Sequence, residues 1–568
     1  MSVSSVSGAY VKVVSPTEIE GYKKIGGFCG NGEEGLVYFV AKVSKKPQKI
    51  GLWNNKELCS RKIVEAKGND VGAYFTYNLK KGEQVEIKVG VSYVGIHNAR
   101  LNLTAEQSGF RFDTVRKAAL SAWNMELSRV LLEGGTEKYK RMFYTALYHV
   151  LIHPNILNDV NGEYPAYLSG KIKNSGERDH YTIFSLWDTY RTVHPLLSLI
   201  YPERQSDMVN SLLDMYKESG RLPKWELAAM ETNVMVGDPA IPVLVDTYMR
   251  GIRDFNVELA YQAMLKNADI KRSDIDIVRP GYKEFVKFGY IPEPDGKEKA
   301  DIPVWGSVST GLEYCMADYA LACMAKDLGK EADYSLYMKR AGFYQNYYDA
   351  VTGFMRPIHK NGKWLDNFDP KPHVPVWHSR PGFVEGCSWH YSFFVPFDMC
   401  GLVQLNGGGI SFVNKLIDCF ERGYFNMGNE PDISYPYLFN YVKGEEHRTQ
   451  YWTRHCINTY FNDNQNGITD NDDCGTMSAW LVFTMMGLYP DCPANPVYQL
   501  TSPVFDKVTI QLNNKYYSGN SFVIQRGQNT DNKMYIESIY LNGEKISGYS
   551  LKHSTLSKGG ILSFILKE

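Results

Sequence analysis

Apolar and polar residues alternate along the first part of the chain, from Tyr10 to about Leu103. The alternation predicts β-strands over residues 35–43, 71–79 and 84–94, which are separated by turns rich in Gly, Lys and Asn. Strands of this length joined by short turns favour an antiparallel β-sandwich.

The period changes to that of a helix at Phe112. Helices are predicted over residues 113–134 and 136–154, and Thr136 and Glu137 are typical of a helix start. Further helices are predicted at Glu203–Ser219, Ala240–Arg250, Val257–Lys266, Ser309–Leu328, Glu331–Ala350, Ile410–Glu421 and Asp473–Leu488. About a dozen helices, joined by long polar loops, favour a toroid of inner and outer helices with its loops gathered at one end.

From Pro496 onwards the β pattern returns and predicts a small terminal sheet, with Asn542-Gly543 as a type I′ turn. The chain therefore divides into three predicted domains. They are a partial N-terminal β-sandwich (residues 1–110), a helical domain (111–495) and a C-terminal β segment (496–568).

Charge and composition exclude several classes of function. The 568 residues carry 62 Lys and Arg against 63 Asp and Glu, so nothing favours a nucleic-acid partner or an anionic membrane. The ten cysteines are scattered, which is typical of reduced core residues. Neither a membrane span nor a signal peptide is recognisable, so we expect a cytoplasmic protein, or a secreted or periplasmic one if the N-terminus is truncated.

Three carboxylates and an amide occupy four consecutive positions, Asp470 to Asp473, within the stretch Gly467–Trp480. The carboxylates are Asp470, Asp472 and Asp473. Burying these carboxylates without partners would cost several kcal/mol each, so they belong in a loop or at a helix start. One alternative is simple capping of the helix that follows. The other is a functional cluster that activates water, binds a cation or binds a polyol.

Other loops also combine aromatic and acidic residues. Residues 184–202 contain Trp187 and Asp188, for which a capping Asp that pairs with Arg191 is the structural alternative. Residues 222–240 place Glu231 among apolar neighbours, and a capping role is an alternative for Glu430 in residues 425–441. The histidines lack the spacing of a zinc site.

Glu385 lies in one of the most apolar and aromatic stretches of the chain, residues 374–398. Desolvation raises the pKa of a carboxyl group, which suits a general acid, although an N-cap or a pair with Arg380 is the structural alternative. Glycoside hydrolysis needs one protonated and one ionised carboxyl group. Because Glu385 suits the first role and the Asp472–Asp473 pair suits the second, the pattern favours carbohydrate hydrolysis.

Several sequence blocks resemble glycoside hydrolase family 92, the calcium-dependent exo-α-mannosidases. They occur in the family's order over nearly the whole chain and read ARLNL (99–103), FYTALYH (143–149), DVNGEYP (159–165), SLWDTYRTVHPL (185–196), METNVMVGDPA (230–240), VEGCSWHY (384–391), GNEPD (428–432) and DNDDCGTMSAW (470–480). The resemblance implies a β-sandwich packed on an (α/α)6 barrel and hydrolysis of terminal α-linked mannose with inversion.

The resemblance also implies roles for individual residues. Glu385 is the expected general acid, and Asp473 is the expected base, with Asp472 beside it. Calcium is expected near Glu430 and Asp473. The residues expected around the terminal mannose are Trp187, Asp188, Glu231 and Trp389. The expected partner is a mannose-containing oligosaccharide or an N-glycan, with an α-1,2 linkage as the favoured substrate.

The chain departs from the family at its start, where members usually have a further stretch of β-sandwich. Two other functions are therefore weighed against the exo-mannosidase. One is a non-catalytic mannoside-binding protein. The other is cleavage of a mannose-1-phosphate linkage, whose good leaving group needs no acid, and against which the presence of Glu385 argues.

Overall fold

The structure is a computed structural model, and it describes residues 8–28, 34–60, 62–268, 275–295, 304–372, 379–527 and 533–568. The helices are α1 (Ile96–Glu106), α2 (Phe112–Leu127), α3 (Glu137–Val150), α4 (Leu186–Thr189), α5 (Val193–Ile200), α6 (Pro202–Ser219), α7 (Ala240–Met249), α8 (Val257–Asn267), α9 (Ile275–Val278), α10 (Tyr282–Phe288), α11 (Ser307–Asp327), α12 (Glu331–Ala341), α13 (Ser388–Tyr391), α14 (Met399–Leu405), α15 (Gly409–Glu421), α16 (Glu446–Tyr460), α17 (Thr476–Met486) and α18 (His553–Leu556). Shorter 3-10 turns are Gly342–Tyr347, Pro396–Asp398, Glu430–Asp432 and Tyr435–Tyr441.

The strands of the first half are β1 (Ala9–Ser15), β2 (Glu18–Gly26), β3 (Glu34–Val43), β4 (Lys49–Asn54), β5 (Glu57–Leu58), β6 (Glu65–Gly68), β7 (Val71–Thr76), β8 (Ile87–Ser92), β9 (Val130–Glu133), β10 (Asn155–Ile156), β11 (Glu163–Pro165), β12 (Ile172–Asn174), β13 (Tyr181–Thr182), β14 (Phe184–Ser185), β15 (Trp225–Leu227) and β16 (Met230–Glu231). Those of the second half are β17 (Tyr348–Asp349), β18 (Phe354–Met355), β19 (Leu488–Tyr489), β20 (Val497–Leu500), β21 (Lys507–Gln511), β22 (Ser521–Arg526), β23 (Tyr535–Leu541), β24 (Glu544–Ile546), β25 (Ser550–Lys552) and β26 (Gly560–Lys567).

The chain forms two compact units, each built from several segments. Unit 1 consists of Met1–Glu126, Pro154–Ile183 and Asp214–Val234, and unit 2 of Leu127–His153, Phe184–Leu213 and Met235–Glu568.

Unit 1 contains a β-sandwich. One sheet has the strand order β6-β1-β2-β3-β8, and the other has the order β5-β4-β7. The two sheets pack through Val11, Leu52 and Ala66, which belong to β1, β4 and β6. The predicted strands at 35–43, 71–79 and 84–94 are confirmed by β3, β7 and β8. Phe39 of β3 and Val71 and Ala73 of β7 pack against this core, whereas the apolar residues of β8 (Ile87, Val89 and Val91) are exposed.

Helix α1 corrects the prediction of β structure up to Leu103. It packs on the sheet through Ala99 and Leu103, which contact Val40. These two residues are four positions apart, which places them on one side of a helix. The same spacing also fits one face of a strand, so the sequence pattern did not distinguish the two. The helix lies so close to β8 that a Cβ on Gly90 would meet the carbonyl oxygen of Ala99 at 2.2 Å.

Unit 2 consists mainly of helices. At its centre, every residue of α17 is buried, and α17 packs against α3. The side chain of Thr136 accepts a hydrogen bond from the backbone N–H of Tyr139, so the predicted cap of α3 is confirmed. The helices predicted elsewhere in this region are confirmed within a few residues by α7, α8, α11, α15 and α17, and α12 is shorter than predicted because residues 342–347 form a 3-10 turn.

The C-terminal sheet of unit 2 has the strand order β24-β23-β26-β22-β21-β9. Strand β9 shows that the helix predicted over residues 113–134 is wrong at its end, because Leu132 pairs with Val508 in the sheet. A run of four residues such as Val130–Glu133 is too short for its periodicity to distinguish strand from helix. Asn542 and Gly543 both have positive φ (51° and 87°), as the predicted type I′ turn requires.

Helix α2 is amphipathic in sequence, yet it has no buried residue within the part of the chain that the structure describes. Its large apolar side chains Phe112 and Met125 are 68% and 66% exposed.

Among the described helices, none combines the length and the apolar character that crossing a membrane requires.

Candidate active site

Three carboxylates of unit 2 converge in one place. Asp188 lies in α4, Glu430 begins a 3-10 turn, and Asp473 precedes α17. One oxygen atom from each lies within 4.8 Å of the others. Sequence analysis assigned Glu430 and Asp473 to a cation and Asp188 to the sugar, whereas the structure brings all three together.

Burial and mutual repulsion dominate the electrostatics of this cluster. Burial is the largest cause that raises the pKa of Asp188 and of Glu430 well above the ordinary range, and the charge of Asp473 is the second cause for both. Burial likewise raises the pKa of Asp473, against a hydrogen bond with Glu430. Three buried carboxyl groups at this distance cannot all ionise without a compensating positive charge.

The cluster fits a divalent cation. Oxygen Oε1 of Glu430 is buried and has no hydrogen-bond partner among the described residues, so it is available as a ligand. Carboxylate oxygens are the donors that a hard cation such as calcium prefers. A calcium ion would supply the charge that lets all three groups ionise together.

The backbone before α17 is strained at the carboxylate. Asp473 and Cys474 have φ angles of 44° and 54°, followed by Gly475 at 95°. A left-handed conformation at a residue other than glycine costs about 1–3 kcal/mol and often marks a functional site. Here the turn keeps Asp473 out of the helix that sequence analysis began at this residue, and it leaves the carboxylate beside Asp188 and Glu430.

Asp472 has a different environment from Asp473. Its Oδ1 accepts a hydrogen bond from the backbone N–H of Ser478 at 2.9 Å, so it caps the first turn of α17. Its Oδ2 lies 3.7 Å from Nδ1 of His149. The capping alternative therefore applies to Asp472, whereas Asp473 joins the carboxylate cluster.

Glu385 also has a left-handed backbone, with φ of 48°. Burial raises the pKa of its carboxyl group, and the charges of Asp473 and Asp470 raise it further. The structural alternatives do not apply, because Arg380 pairs with Asp369 at 2.8 Å and the N-cap of α13 is Cys387. The first five residues of the apolar stretch predicted at 374–398, residues 374–378, lie outside the described residues.

Asn429 connects Glu385 to the cluster. Its Nδ2 donates a hydrogen bond to the carbonyl oxygen of Glu385 at 2.7 Å, and its Oδ1 accepts one from the backbone N–H of Glu430 at 3.0 Å. From the sequence, capping is the only role expected of Asn429, and its hydrogen bond from the N–H of Glu430 is such a cap. The two hydrogen bonds fix the backbone of Glu385 relative to the backbone of Glu430.

Arg191 supplies positive charge beside the cluster. Its guanidinium group donates to Glu313 at 2.6 Å, and both side chains are buried. The structural alternative for Asp188, an ion pair with Arg191, is not formed, and Asp188 instead accepts a hydrogen bond from Ser185. Glu313 was not predicted from the sequence, although it is the only charged residue in the first half of α11, which was a signal that it needed a buried partner.

The two tryptophans predicted to bind sugar are both buried. Trp187 is fully buried, and the guanidinium of Arg191 lies 4.8 Å from the centre of its ring. Trp389 is 7% exposed and packs against Phe354 and Tyr424, with ring centres 4.7 and 5.1 Å apart.

Glu231 belongs to unit 1 and is buried there. Its carboxylate accepts hydrogen bonds from Tyr167 Oη at 2.7 Å and from the backbone N–H groups of Lys224, Trp225 and Asn233. These partners hold the turn between β15 and Asn233, in which Ala228, Ala229 and Asn233 all have positive φ.

Comparison with solved structures identifies the class of protein. The chain is 31% identical to a family GH92 α-mannosidase from Bacteroides thetaiotaomicron, with a TM-score of 0.88 over 99% of this chain and 73% of that one. A complex of that α-mannosidase with mannoimidazole gives a TM-score of 0.89 at 30% identity, over 99% and 74% of the two chains. A GH92 inverting mannosidase from the same organism gives 0.89 at 28% identity, over 99% and 77%.

The chain belongs to glycosyl hydrolase family 92. The family's catalytic-domain model matches residues 98–568, and its N-terminal-domain model matches residues 1–92. The resemblance found in the sequence is thereby confirmed. So is the fold class, with a β-rich N-terminal domain, a helical barrel-like core and a C-terminal sheet.

A curated relative from another organism also matches the chain. It is an uncharacterized secreted glycosidase from Arthroderma benhamiae, 29% identical over 524 residues. The match covers 87% of this chain and 62% of that relative, so the chain spans less than two thirds of the relative's length.

Proposed function

We propose that this chain is an inverting exo-α-mannosidase that removes terminal α-linked mannose, preferably α-1,2-linked, from oligosaccharides or N-glycans. The observation that carries the proposal is the contrast between two acidic sites. Glu385 is a single, partly buried carboxyl group with a raised pKa, and its charge interacts with that of Asp473 in a three-carboxylate cluster. One proton donor and one ionisable partner are what glycoside hydrolysis requires.

In the proposed reaction, Glu385 donates its proton to the glycosidic oxygen as the bond from that oxygen to the anomeric carbon breaks. Asp473 accepts a proton from the water that attacks the same carbon from the opposite face. Asp188, Glu430 and Asp473 would hold calcium, which when bound would act as a Lewis acid and a template for the sugar hydroxyls. Burial raises the pKa values of Asp188 and Glu430, and the charge of Arg191 opposes part of that rise, which favours the ionised forms.

The remaining predicted residues have supporting roles in this proposal. Asp472 orients the turn that carries Asp473, through its contacts with Ser478 and His149. Trp187 positions Arg191 through the ring contact and through its carbonyl oxygen, which accepts a hydrogen bond from Nε at 3.1 Å. Substrate contacts by Trp389 and Glu231, the three predicted domain boundaries and the location of the protein stay predictions.

The direct test is hydrolysis of α-1,2-mannobiose, with the anomer of the released mannose followed by NMR. We expect β-mannose as the first product, because inversion converts an α-linkage into a β-anomer. We also expect a chelator to abolish release and calcium to restore it. Retention would contradict the mechanism, no release by a folded, calcium-loaded sample would favour a binding protein, and release only from a mannose-1-phosphate linkage would favour the other hydrolase.

Asn429→Ala tests the connection between the acid and the cluster. We expect a loss of roughly 10- to 100-fold on α-1,2-mannobiose, because two hydrogen bonds that position Glu385 and Glu430 are removed. An aryl mannoside with an activated phenol should lose less, because it does not need the proton. The measurement is kcat on both substrates at saturating calcium.

The near-isosteric variant Asn429→Asp is the control for this experiment. It keeps an acceptor for the N–H of Glu430 but replaces the donor to the carbonyl oxygen of Glu385. A loss as large as that of Asn429→Ala would assign the effect to Glu385. Equal losses on the two substrates in Asn429→Ala would show that Asn429 does not position the proton donor.

A further inference from the structure

A separate groove lies entirely within unit 1. Its volume is about 410 Å3, and it lies between the hairpin formed by β11 and β12 and the last turns of α6. This size is within the range of pockets that bind small molecules. The lining residues are Tyr164, Ser169, Lys171, Lys173, Asn174, Ser175, Arg178, Asp214, Lys217 and Glu218.

The fold concentrates positive charge on the hairpin side of the groove. Lys173 pairs directly with Tyr164 across the hairpin, so both side chains lie on the same face. Lys171 is two residues before Lys173 and shares that face because side chains alternate along a strand. Both lysines are exposed, and neither forms an ion pair with another described residue.

The helix side of the groove contains two carboxylates, Asp214 and Glu218, which already form ion pairs or hydrogen bonds with other groups of the protein. The two oxygens of Asp214 bind Arg178 and Lys217. The two oxygens of Glu218 accept hydrogen bonds from Tyr164 Oη at 2.8 Å and from the backbone N–H of Tyr167 at 2.7 Å. Burial raises the pKa of Glu218, and these two hydrogen bonds oppose that rise.

The balance of charge in the groove is therefore positive. Four cationic side chains face two carboxylates, an excess of two positive charges, within a chain whose net charge is −1. In addition, Nη1 of Arg178 is buried and has no hydrogen-bond partner among the described residues. Arginine and lysine in a concave site attract and bind phosphate groups, since the cleft focuses their field.

We propose that this groove binds a sugar that carries a phosphate monoester. Lys171, Lys173 and Arg178 contact the phosphate. Ser169, Asn174 and Ser175 also line the groove, and their side-chain donors already bond to the carbonyl oxygens of residues 166, 161 and 162. The remaining lone pairs of their side-chain oxygens accept hydrogen bonds from the sugar hydroxyls. The site goes beyond the proposed hydrolysis, and its occupation does not depend on the carboxylate cluster.

The test is calorimetric titration of the full chain with mannose 6-phosphate, mannose and inorganic phosphate. We expect mannose 6-phosphate to bind more tightly than either of the others, and its affinity to fall with added salt. The double variant Lys171→Ala/Lys173→Ala should lose roughly tenfold or more in affinity for mannose 6-phosphate. It should leave mannose release from α-1,2-mannobiose unchanged.

The matched control is Lys80→Ala/Lys81→Ala, which removes two exposed lysines of the same unit that do not line the groove. It should bind mannose 6-phosphate like the unaltered chain. Equal loss in both double variants, or equal affinity for mannose and mannose 6-phosphate, would overturn the proposal. Equal affinity for inorganic phosphate would overturn its sugar part, and no binding of any probe would overturn all of it. The experiment measures only the affinity of the chain for these ligands, so its outcome does not depend on whether the chain is a mannosidase.

Discussion

Glu385→Gln is expected to lower the hydrolysis of α-1,2-mannobiose by about 10²- to 10⁴-fold, the contribution typical of a general acid. The same variant should cleave a mannoside of an activated phenol at nearly the normal rate. The reason is that a sugar alkoxide leaves only when it is protonated, whereas an activated phenolate leaves without a proton. The measurement is kcat/KM for both substrates at saturating calcium.

The pH dependence gives a second readout of the same variant. The carboxyl group of Glu385 must be protonated to act, and burial raises its pKa, so the proton is kept to higher pH than in an ordinary glutamate. Activity on the disaccharide should therefore fall as the pH rises through this pKa. That alkaline limb should be absent from the residual activity of Glu385→Gln on the disaccharide, and the activated substrate should lack it in both proteins.

The control for Glu385 is a glutamate that undergoes the same chemical change elsewhere. Glu421→Gln alters an exposed residue at the end of α15 and should leave both substrates unaffected. In Glu385→Gln the introduced glutamine has the same backbone requirement as the original glutamate, so the left-handed conformation does not bias the comparison. Equal losses on the two substrates would remove Glu385 from the role of proton donor.

The sequence predicts those elements of the fold that depend on interactions between residues close together in the chain. The strands β3, β7 and β8 and the cap of α3 depend on alternation and on a hydrogen bond between near neighbours, so they could be predicted. Strand β9 could not, because it exists only through pairing with β21, whose sequence lies more than 370 residues away. Short apolar runs take the secondary structure that their distant partners impose.

The same distinction holds for the site. Glu385 and Asp473 could be singled out by their composition, since one stands in an apolar stretch and the other in an acidic one. That Asp188 joins Glu430 and Asp473 could not, because α4 and the acidic loop approach each other only in the folded unit. The different environments of the neighbours Asp472 and Asp473 could not be predicted either. They depend on a strained turn, after which Asp472 caps α17 and Asp473 lies in the carboxylate cluster.

Asp473→Asn is expected to lower the hydrolysis of both α-1,2-mannobiose and the activated aryl mannoside, each by about 10²- to 10⁴-fold. Activation of the leaving group does not help here, since the attacking water must still lose its proton. Asparagine tolerates the left-handed conformation that Asp473 adopts, so the turn and the fold should be retained. The measurement is kcat on the two substrates, with the thermal unfolding temperature as a check on folding.

Asp473 is also proposed to hold calcium, so the two roles must be separated. Calcium affinity of Asp473→Asn, measured by calorimetry, is expected to fall because one of three carboxylates has lost its charge. If Asp473 were a calcium ligand alone, activity would return when calcium is raised to saturation. We expect it to stay low, because the amide cannot accept the proton of water.

Asp472→Asn is the matched control, since it makes the same change at the neighbouring position. The asparagine side chain can still accept the hydrogen bond from Ser478, so α17 stays capped and only the contact with the His149 ring is weakened. We expect a loss much smaller than that of Asp473→Asn on both substrates. A larger loss in Asp472→Asn than in Asp473→Asn, or near-normal turnover of either substrate by Asp473→Asn, would move the base to another residue.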